Sequence, residues 1–345
     1  MNIFDLAIKE GFSSDDAQKC QKAFDDLWEQ KQIEAKPILE PSAYIVGGQP
    51  GAGKSDLLKL AEKETNNNII IINPDEYRMF HPKYKEIQHQ YGDEASKHTG
   101  LFSGSIANLI RDKAISEKYN FVIEGTFRRE EIPLSMVKQC KEAGYKINIL
   151  IKTCPQKESW EHGCLQRYNL MKEIVKRFNI REYPRFVEKS FHDSVVNVLT
   201  ERVVSVFEQT KSDINSFRVF SREGLIFNSK LDRGCILHNR VNNEINREPN
   251  TFILTFSYED KKQPDKLLMR INGVDGREYL NDYPETLSIL LKNKSLSNYS
   301  EELQSCLLTN DFNKGLLKDM TINKDGQLIA QHLTQSNQNE SDFSL

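Results

Sequence analysis

The sequence predicts an α/β fold: an open parallel sheet with helices on both faces, and a small α+β module appended at its C-terminal end. Short apolar runs alternate with helical patterns from Ala43 to about Ser221, as in a parallel sheet covered on both sides. The runs lack polar alternation, which marks strands buried on both faces. One of them, Ala43-Tyr-Ile-Val-Gly47, leads directly into Gly48-Gln-Pro-Gly-Ala-Gly-Lys54-Ser55 and then a helical pattern, the order strand, glycine-rich loop, helix.

Each element follows in turn. Residues 1–40 read as two amphipathic helices packed on the core, the second capped by Ser13-Ser-Asp-Asp16 and carrying Ala17, Cys20, Ala23, Phe24, Leu27 and Trp28 on one face. Strands are expected at Tyr44–Val46, Ile69–Ile72, Phe121–Glu124, Ile147–Ile151 and Arg218–Phe220, with helices near 56–65, 84–98, 103–118, 132–143, 156–179 and 185–211. This unit spans 41–228. The polar, Asn-rich stretch 230–250 reads as a connection into a module over 229–334, which holds a hairpin (Phe252–Tyr258 with Lys266–Ile271) and helices near 285–292 and 300–308. Residues 335–345 read as a disordered tail.

Composition narrows the function classes. With 345 residues, 38% hydrophobic and 28% charged, the chain is a globular protein, and a net charge of −3 gives no basic field for nucleic acid or anionic membrane. No segment has the length of a membrane helix, and the polar N-terminus lacks a signal-peptide core. Six scattered cysteines without a C-x-x-C pair suit a reducing cytoplasm, although a receptor-read export signal would escape this test. Seven histidines without ligand spacing argue against structural zinc, and His81 and His192 read as packing residues.

The chemistry-bearing residues cluster just past the strands, where open α/β sheets bind ligands. The glycine-rich loop matches the phosphate-binding pattern G-x-x-x-x-G-K-[ST], so Gly48, Gln49, Pro50, Gly51, Ala52, Gly53, Lys54, Ser55 and Asp56 are the candidate nucleotide-binding residues. Backbone N–H groups and a helix N-terminus would hold the phosphates of ATP, Lys54 would reach the β- and γ-phosphates, and the Ser55 hydroxyl would sit on Mg²⁺. The fold class is then that of P-loop kinases. Asp75, closing the second strand, is read as the base that takes a proton from an accepting hydroxyl; the competing role is a turn cap after Pro74. Glu124, Thr126 and Arg128 end the third strand and would line the acceptor side, or else close a loop through an ion pair. Arg167 and Arg185 stand on a helical hairpin after the fourth strand, either as lid cations for the γ-phosphate or as solvated helix residues.

Together, Gly47–Ser55, Ile72-Asn-Pro-Asp75, His81-Pro82, Val122–Arg128, Arg167-Tyr168, Arg185 with His192-Asp193, and Ser221-Arg-Glu-Gly224 resemble the zeta toxin family of bacterial toxin–antitoxin systems. These are P-loop kinases that phosphorylate the sugar of UDP-N-acetylglucosamine and block cell-wall synthesis. The resemblance covers roughly residues 40–230. It implies ATP and Mg²⁺ on Lys54 and Ser55, Asp75 as catalytic base, Arg167 and Arg185 as cations on the phosphates, and Glu124, Thr126 and Arg128 lining the substrate side. An antitoxin or immunity protein is the implied partner. One departure stands out: where the family carries a substrate-side Glu on the helix after the second strand, this chain has Asn108, which brings no charge. That leaves room for a second acceptor class, NAD-type dinucleotides. A third reading is a non-catalytic ATP-binding interaction module, against which the retention of Asp75 and both arginines argues.

Overall fold

The computed structural model describes residues 2–177 and 186–247, and beyond these the strands between 252 and 331. Arg185, the helical patterns at 285–292 and 300–308, and the tail 335–345 lie outside the described residues.

Two helices, α1 (Ile3–Lys9) and α2 (Ser14–Glu34), open the chain. The Ser13 hydroxyl caps α2 by accepting the Asp16 N–H at 3.2 Å, the capping expected from sequence. Then come β1 (Ser42–Gly48), α3 (Ser55–Glu64), β2 (Ile70–Ile72) and a 3₁₀ segment, Pro74–Phe80. Next are α4 (Tyr84–Tyr91), α5 (Ala95–Ser116), β3 (Phe121–Glu124), α6 (Glu131–Glu142) and β4 (Lys146–Lys152). The helix expected over 84–98 is broken: at Gly92 the backbone turns to φ 50°, and a new helix starts at Ala95. After β4 a one-turn α7 (Gln156–Glu158) passes into a π-helical segment, Ser159–Leu165, and then into α8 (Gln166–Arg177). The described core closes with α9 (Lys189–Thr210), β5 (Ser216–Phe220), β6 (Leu225–Asn228) and α10 (Leu237–Ile245).

The six strands order as β2-β3-β1-β4-β5-β6. All pairs are parallel except β5–β6, which is antiparallel, so the expected all-parallel sheet gains an antiparallel edge from a tight turn at Ser221–Gly224. Both faces are covered, as the unalternating runs require. Along β1, Ala43 and Ile45 join the large core formed with α1, α2, α5, α6 and α9, while Tyr44 and Val46 face Leu57 and Ala61 of α3.

The segment expected as a polar connection is instead ordered, and Ile236, Leu237, Val241 and Ile245 continue the large core past residue 228. Its polarity is buried in pairs. Arg240 and Asp232 meet at 3.1 Å with both side chains fully buried, and Arg247 spans Glu244 and Glu223, each at 3.1 Å. The hairpin expected at 252–271 forms as β7 (Phe252–Asp260) and β8 (Gln263–Ile271). With β9 (Val274–Asp275), β10 (Asp319–Ile322) and β11 (Leu328–Gln331) it makes a five-stranded antiparallel sheet ordered β11-β10-β7-β8-β9.

Candidate active site at the carboxyl edge of the sheet

The loop from Gly48 to Lys54 connects β1 to α3 across the carboxyl edge of the sheet. Gly51 and Gly53 adopt left-handed conformations (φ 78° and 89°) that a side chain would strain. Lys54 is nearly buried; its Nζ donates to the Gly48 and Gln49 carbonyls at 3.2 and 3.1 Å and lies 3.6 Å from Glu124 Oε1. Glu124, beside Val46 in the β1–β3 register, thus meets a cation at the end of its strand, the condition its burial demanded. Asp56 faces outward, 3.4 Å from the buried Lys152 at the end of β4.

The loop is fastened from below and from outside. Gln49 is fully buried; its amide donates to the Cys154 carbonyl at 2.6 Å and accepts from the Thr153 hydroxyl at 3.0 Å. Ser159 Oγ lies 3.3 Å from that amide and 2.8 Å from His192 Nε2, and His192 Nδ1 lies 3.0 Å from Asp193 Oδ1. The order Ser–His–Asp imitates a hydrolytic triad, but Ser159 is fully buried and its hydroxyl also reaches the Gln156 carbonyl at 2.9 Å, so it serves as a strut. Burial lowers the His192 pKa, and Trp160 covers the ring at 5.5 Å. From outside, the π-helical turn lies directly on the loop: a Cβ at Gly163 would stand 2.1 Å from the Gly51 carbonyl oxygen. Arg222, after β5, donates to the same carbonyl at 3.0 Å.

Asp75 follows β2 at the first turn of the 3₁₀ segment, where Asn73 Oδ1 accepts its N–H at 3.1 Å. Its Oδ1 accepts from Arg78 Nε and Nη2 at 3.1 and 3.0 Å. The other end of that guanidinium donates to the Ser96 carbonyl at 2.6 Å and the Thr99 hydroxyl at 3.0 Å in α5. Arg78 escaped the sequence reading; its only signal was a cation three residues after Asp75 on a helical turn.

The turn after β3 is fixed by the Gly125 N–H on the Val46 carbonyl at 2.8 Å and by Phe127, a buried residue at φ 56° whose ring lies against Gly47. Only surrounding packing holds a phenylalanine there. Thr126 and Arg128 thereby line a cavity of about 250 Å³ with Ile132, Met136 and Phe191, and the Arg128 guanidinium stacks 5.3 Å from the Phe191 ring. Asn108 is exposed on α5 and accepts from Arg111 Nη1 at 2.9 Å, a partner on its own helix rather than at the loop.

Arg167 is exposed in the first turn of α8. Burial pushes the Cys164 thiol up, against the charges of Arg167 and Lys54, and its sulfur lies against Gly51 of the phosphate loop. Among the described residues no group of three or more His, Cys, Asp or Glu could hold a metal by itself. The Ser55 hydroxyl, at the first residue of α3, is a hard oxygen donor of the kind that suits a magnesium ion.

The large unit has counterparts among known proteins. A family model described as Zeta toxin matches residues 25–232. Toxin PezT of Streptococcus pneumoniae serotype 4 is 30% identical over 213 residues, 60% of this chain and 75% of that protein. Toxin zeta of Streptococcus pyogenes is 29% identical over 215 residues, 62% of this chain and 72% of its own length. Among solved structures, that of the PezAT chromosomal toxin–antitoxin system of S. pneumoniae has a TM-score of 0.56 at 23% identity, covering 66% of this chain and 86% of the other.

Proposed function

The chain belongs to the zeta toxin family, and from that membership we propose that it is an ATP-dependent kinase acting on a hydroxyl of a small nucleotide-type substrate, first among them UDP-N-acetylglucosamine. The observation that carries this reading is Lys54, held in the phosphate loop 3.6 Å from Glu124, with Arg167 one turn beyond Cys164, whose sulfur lies against Gly51 of that loop. Binding ATP requires the loop and its lysine; a second cation beside them serves a γ-phosphoryl on which charge redistributes during transfer.

In the reaction, Asp75 accepts the proton of the acceptor hydroxyl, held in place by Arg78. The freed oxygen attacks the γ-phosphorus, the bond from that phosphorus to the β–γ bridging oxygen breaks, and ADP leaves. Lys54 and Arg167 neutralise the phosphoryl oxygens, and Arg185 takes the same part on sequence alone. Ser55 would hold Mg²⁺, which supplies charge neutralisation across the phosphates. Glu124, Thr126 and Arg128 line the acceptor side, and Asn108 is assigned there on sequence alone. We assign the protein a toxin's role in the cytoplasm, with an antitoxin or immunity protein as its partner; the names of its relatives support both.

The test is incubation with γ-labelled ATP and a panel of UDP-sugars and NAD-type dinucleotides, followed by mass spectrometry. Transfer to UDP-N-acetylglucosamine, lost in Asp75→Asn, is the expected result. Transfer to NAD alone replaces the acceptor and keeps the kinase, while no ATP-dependent product from any acceptor refutes the reading.

A further inference from the structure

One turn of α5 ties the candidate base to the helix that bears the candidate phosphate cation. Ser96 and Thr99 anchor Arg78, and through it Asp75. Lys97, between them, pairs with Glu188 Oε1 at 2.6 Å, just before α9. Asp93, two residues ahead of α5, accepts the Tyr168 hydroxyl at 2.5 Å. Tyr168 is the neighbour of Arg167 on α8. It is buried although most of α8 around it is exposed, with its ring edge against Phe186 at 5.0 Å and its hydroxyl accepting from Lys172 at 3.2 Å. One turn earlier, Cys164 rests on Gly51 of the phosphate loop. The inner face of this helical run therefore touches the nucleotide side at Cys164 and the acceptor side at Tyr168, with Arg167 between the two contacts.

We infer that Tyr168 is a positioning residue for transfer: its hydrogen bond to Asp93 fixes α8 against the segment that leads into the first turn of α5, the turn that also fixes Asp75, and so sets the placement of Arg167 relative to the base. Tyr168 touches neither nucleotide nor acceptor in this role. A phenolic O–H on a carboxylate is a charge-assisted bond, stronger than a neutral one and directional. The geometry matters because charge stabilisation in phosphoryl transfer depends on cation placement, and a displacement of about 1 Å costs on the order of 10²-fold.

The inference rests on the kinase reading, and the experiment separates the two. Full-length wild type, Tyr168→Phe, Asp93→Ala, Asp93→Asn and the Tyr168→Phe/Asp93→Ala double variant are compared in kcat, KM for ATP and thermal midpoint. The expected result is a fall in kcat of about tenfold or more in Tyr168→Phe and in Asp93→Ala, with KM for ATP within about twofold. The double variant should be no slower than the worse single one, because both remove the same bond. Asp93→Asn, whose amide oxygen still accepts the hydroxyl, should recover part of the rate. An active wild type with an equally active Tyr168→Phe overturns the inference alone, as do lowered melting points at unchanged kcat, or losses that multiply in the double variant. A wild type inactive on every acceptor takes down both.

Discussion

Replacing Gly163 by alanine isolates the contact between the π-helical turn and the phosphate loop. By helix propensity alone the change should help, since alanine is favoured over glycine by about 1 kcal/mol within a helix. The surroundings forbid it. The new Cβ would stand 2.1 Å from the Gly51 carbonyl oxygen and 2.5 Å from its Cα, about 1.3 Å inside the 3.4 Å at which ordinary contact begins. The atoms opposed are backbone on both sides, so no side chain can swing away. Either the turn lifts, carrying Cys164 and Arg167 with it, or Gly51 retreats and the N–H cradle opens. Overpacking of this kind costs about 1–3 kcal/mol. The functional loss should be larger in proportion, because a shift near 1 Å in a phosphate-positioning element costs on the order of 10²-fold in kcat/KM. Steady-state kinetics in ATP, titration calorimetry with a non-hydrolysable ATP analogue and a thermal melt read the three quantities. Gly104→Ala on α5 is the control, because its Cβ would meet nothing within 4 Å. Should Gly163→Ala bind nucleotide and turn over as the wild type does, the turn does not constrain the loop and the reasoning fails.

Lys54→Ala should lose both nucleotide affinity and transfer, whereas Asp75→Asn should bind ATP normally and lose roughly 10²–10⁴-fold in kcat; an Asp75→Asn enzyme near the wild-type rate removes the base from the mechanism. Arg167→Ala should depress kcat by on the order of 10²-fold with little change in melting point, since the side chain is exposed, and a destabilised variant of normal rate would make it a structural arginine. Burial holds His192 below its ordinary value of 6.5, so the unfolded chain binds that proton more readily and stability should fall as pH drops below 6.5. Asp193, held down to about 2 by Lys189 and His192, adds a second loss below its ordinary 3.8. Melts of His192→Gln across the mildly acidic range should show a flatter slope, with His81 supplying part of the remainder; a slope identical to wild type would exclude His192 as its source.

What could be read in the sequence was what local chemistry dictates. The phosphate loop needs its glycines, lysine and serine consecutively, so strand, loop and helix appear together between Ala43 and Glu62. Strands buried on both faces announce themselves as apolar runs, and the cap at Ser13 lies within one turn of its target. The rest depends on partners far apart in the chain. The stretch 230–250 reads as a connection because it is polar and Asn-rich; Asp232 and Glu223, the partners of Arg240 and Arg247, become neighbours only once β6 has folded back. β6 itself is four residues long and offers no alternation. Asp75 was legible as a carboxylate at a strand end, but its restraint by α5 through Arg78 was not. Tyr168 stands beside Arg167 in the sequence, yet its partner Asp93 lies 75 residues away.

The paired charges of α10 also decide where this protein can be cut. Similarity to the family stops at 232, which invites a fragment ending there. Such a fragment would discard Arg247, leaving Glu223 without its cation one residue from Arg222, the side chain that holds the Gly51 carbonyl. It would also strip Leu237, Val241 and Ile245 from the core, each worth roughly 1.5–3 kcal/mol when fully buried. Against a total margin of about 5–15 kcal/mol, that is enough to unfold many domains. A shortened protein meant to keep the phosphate loop in working order must therefore retain Arg247, fifteen residues past the last position that kinship alone would mark.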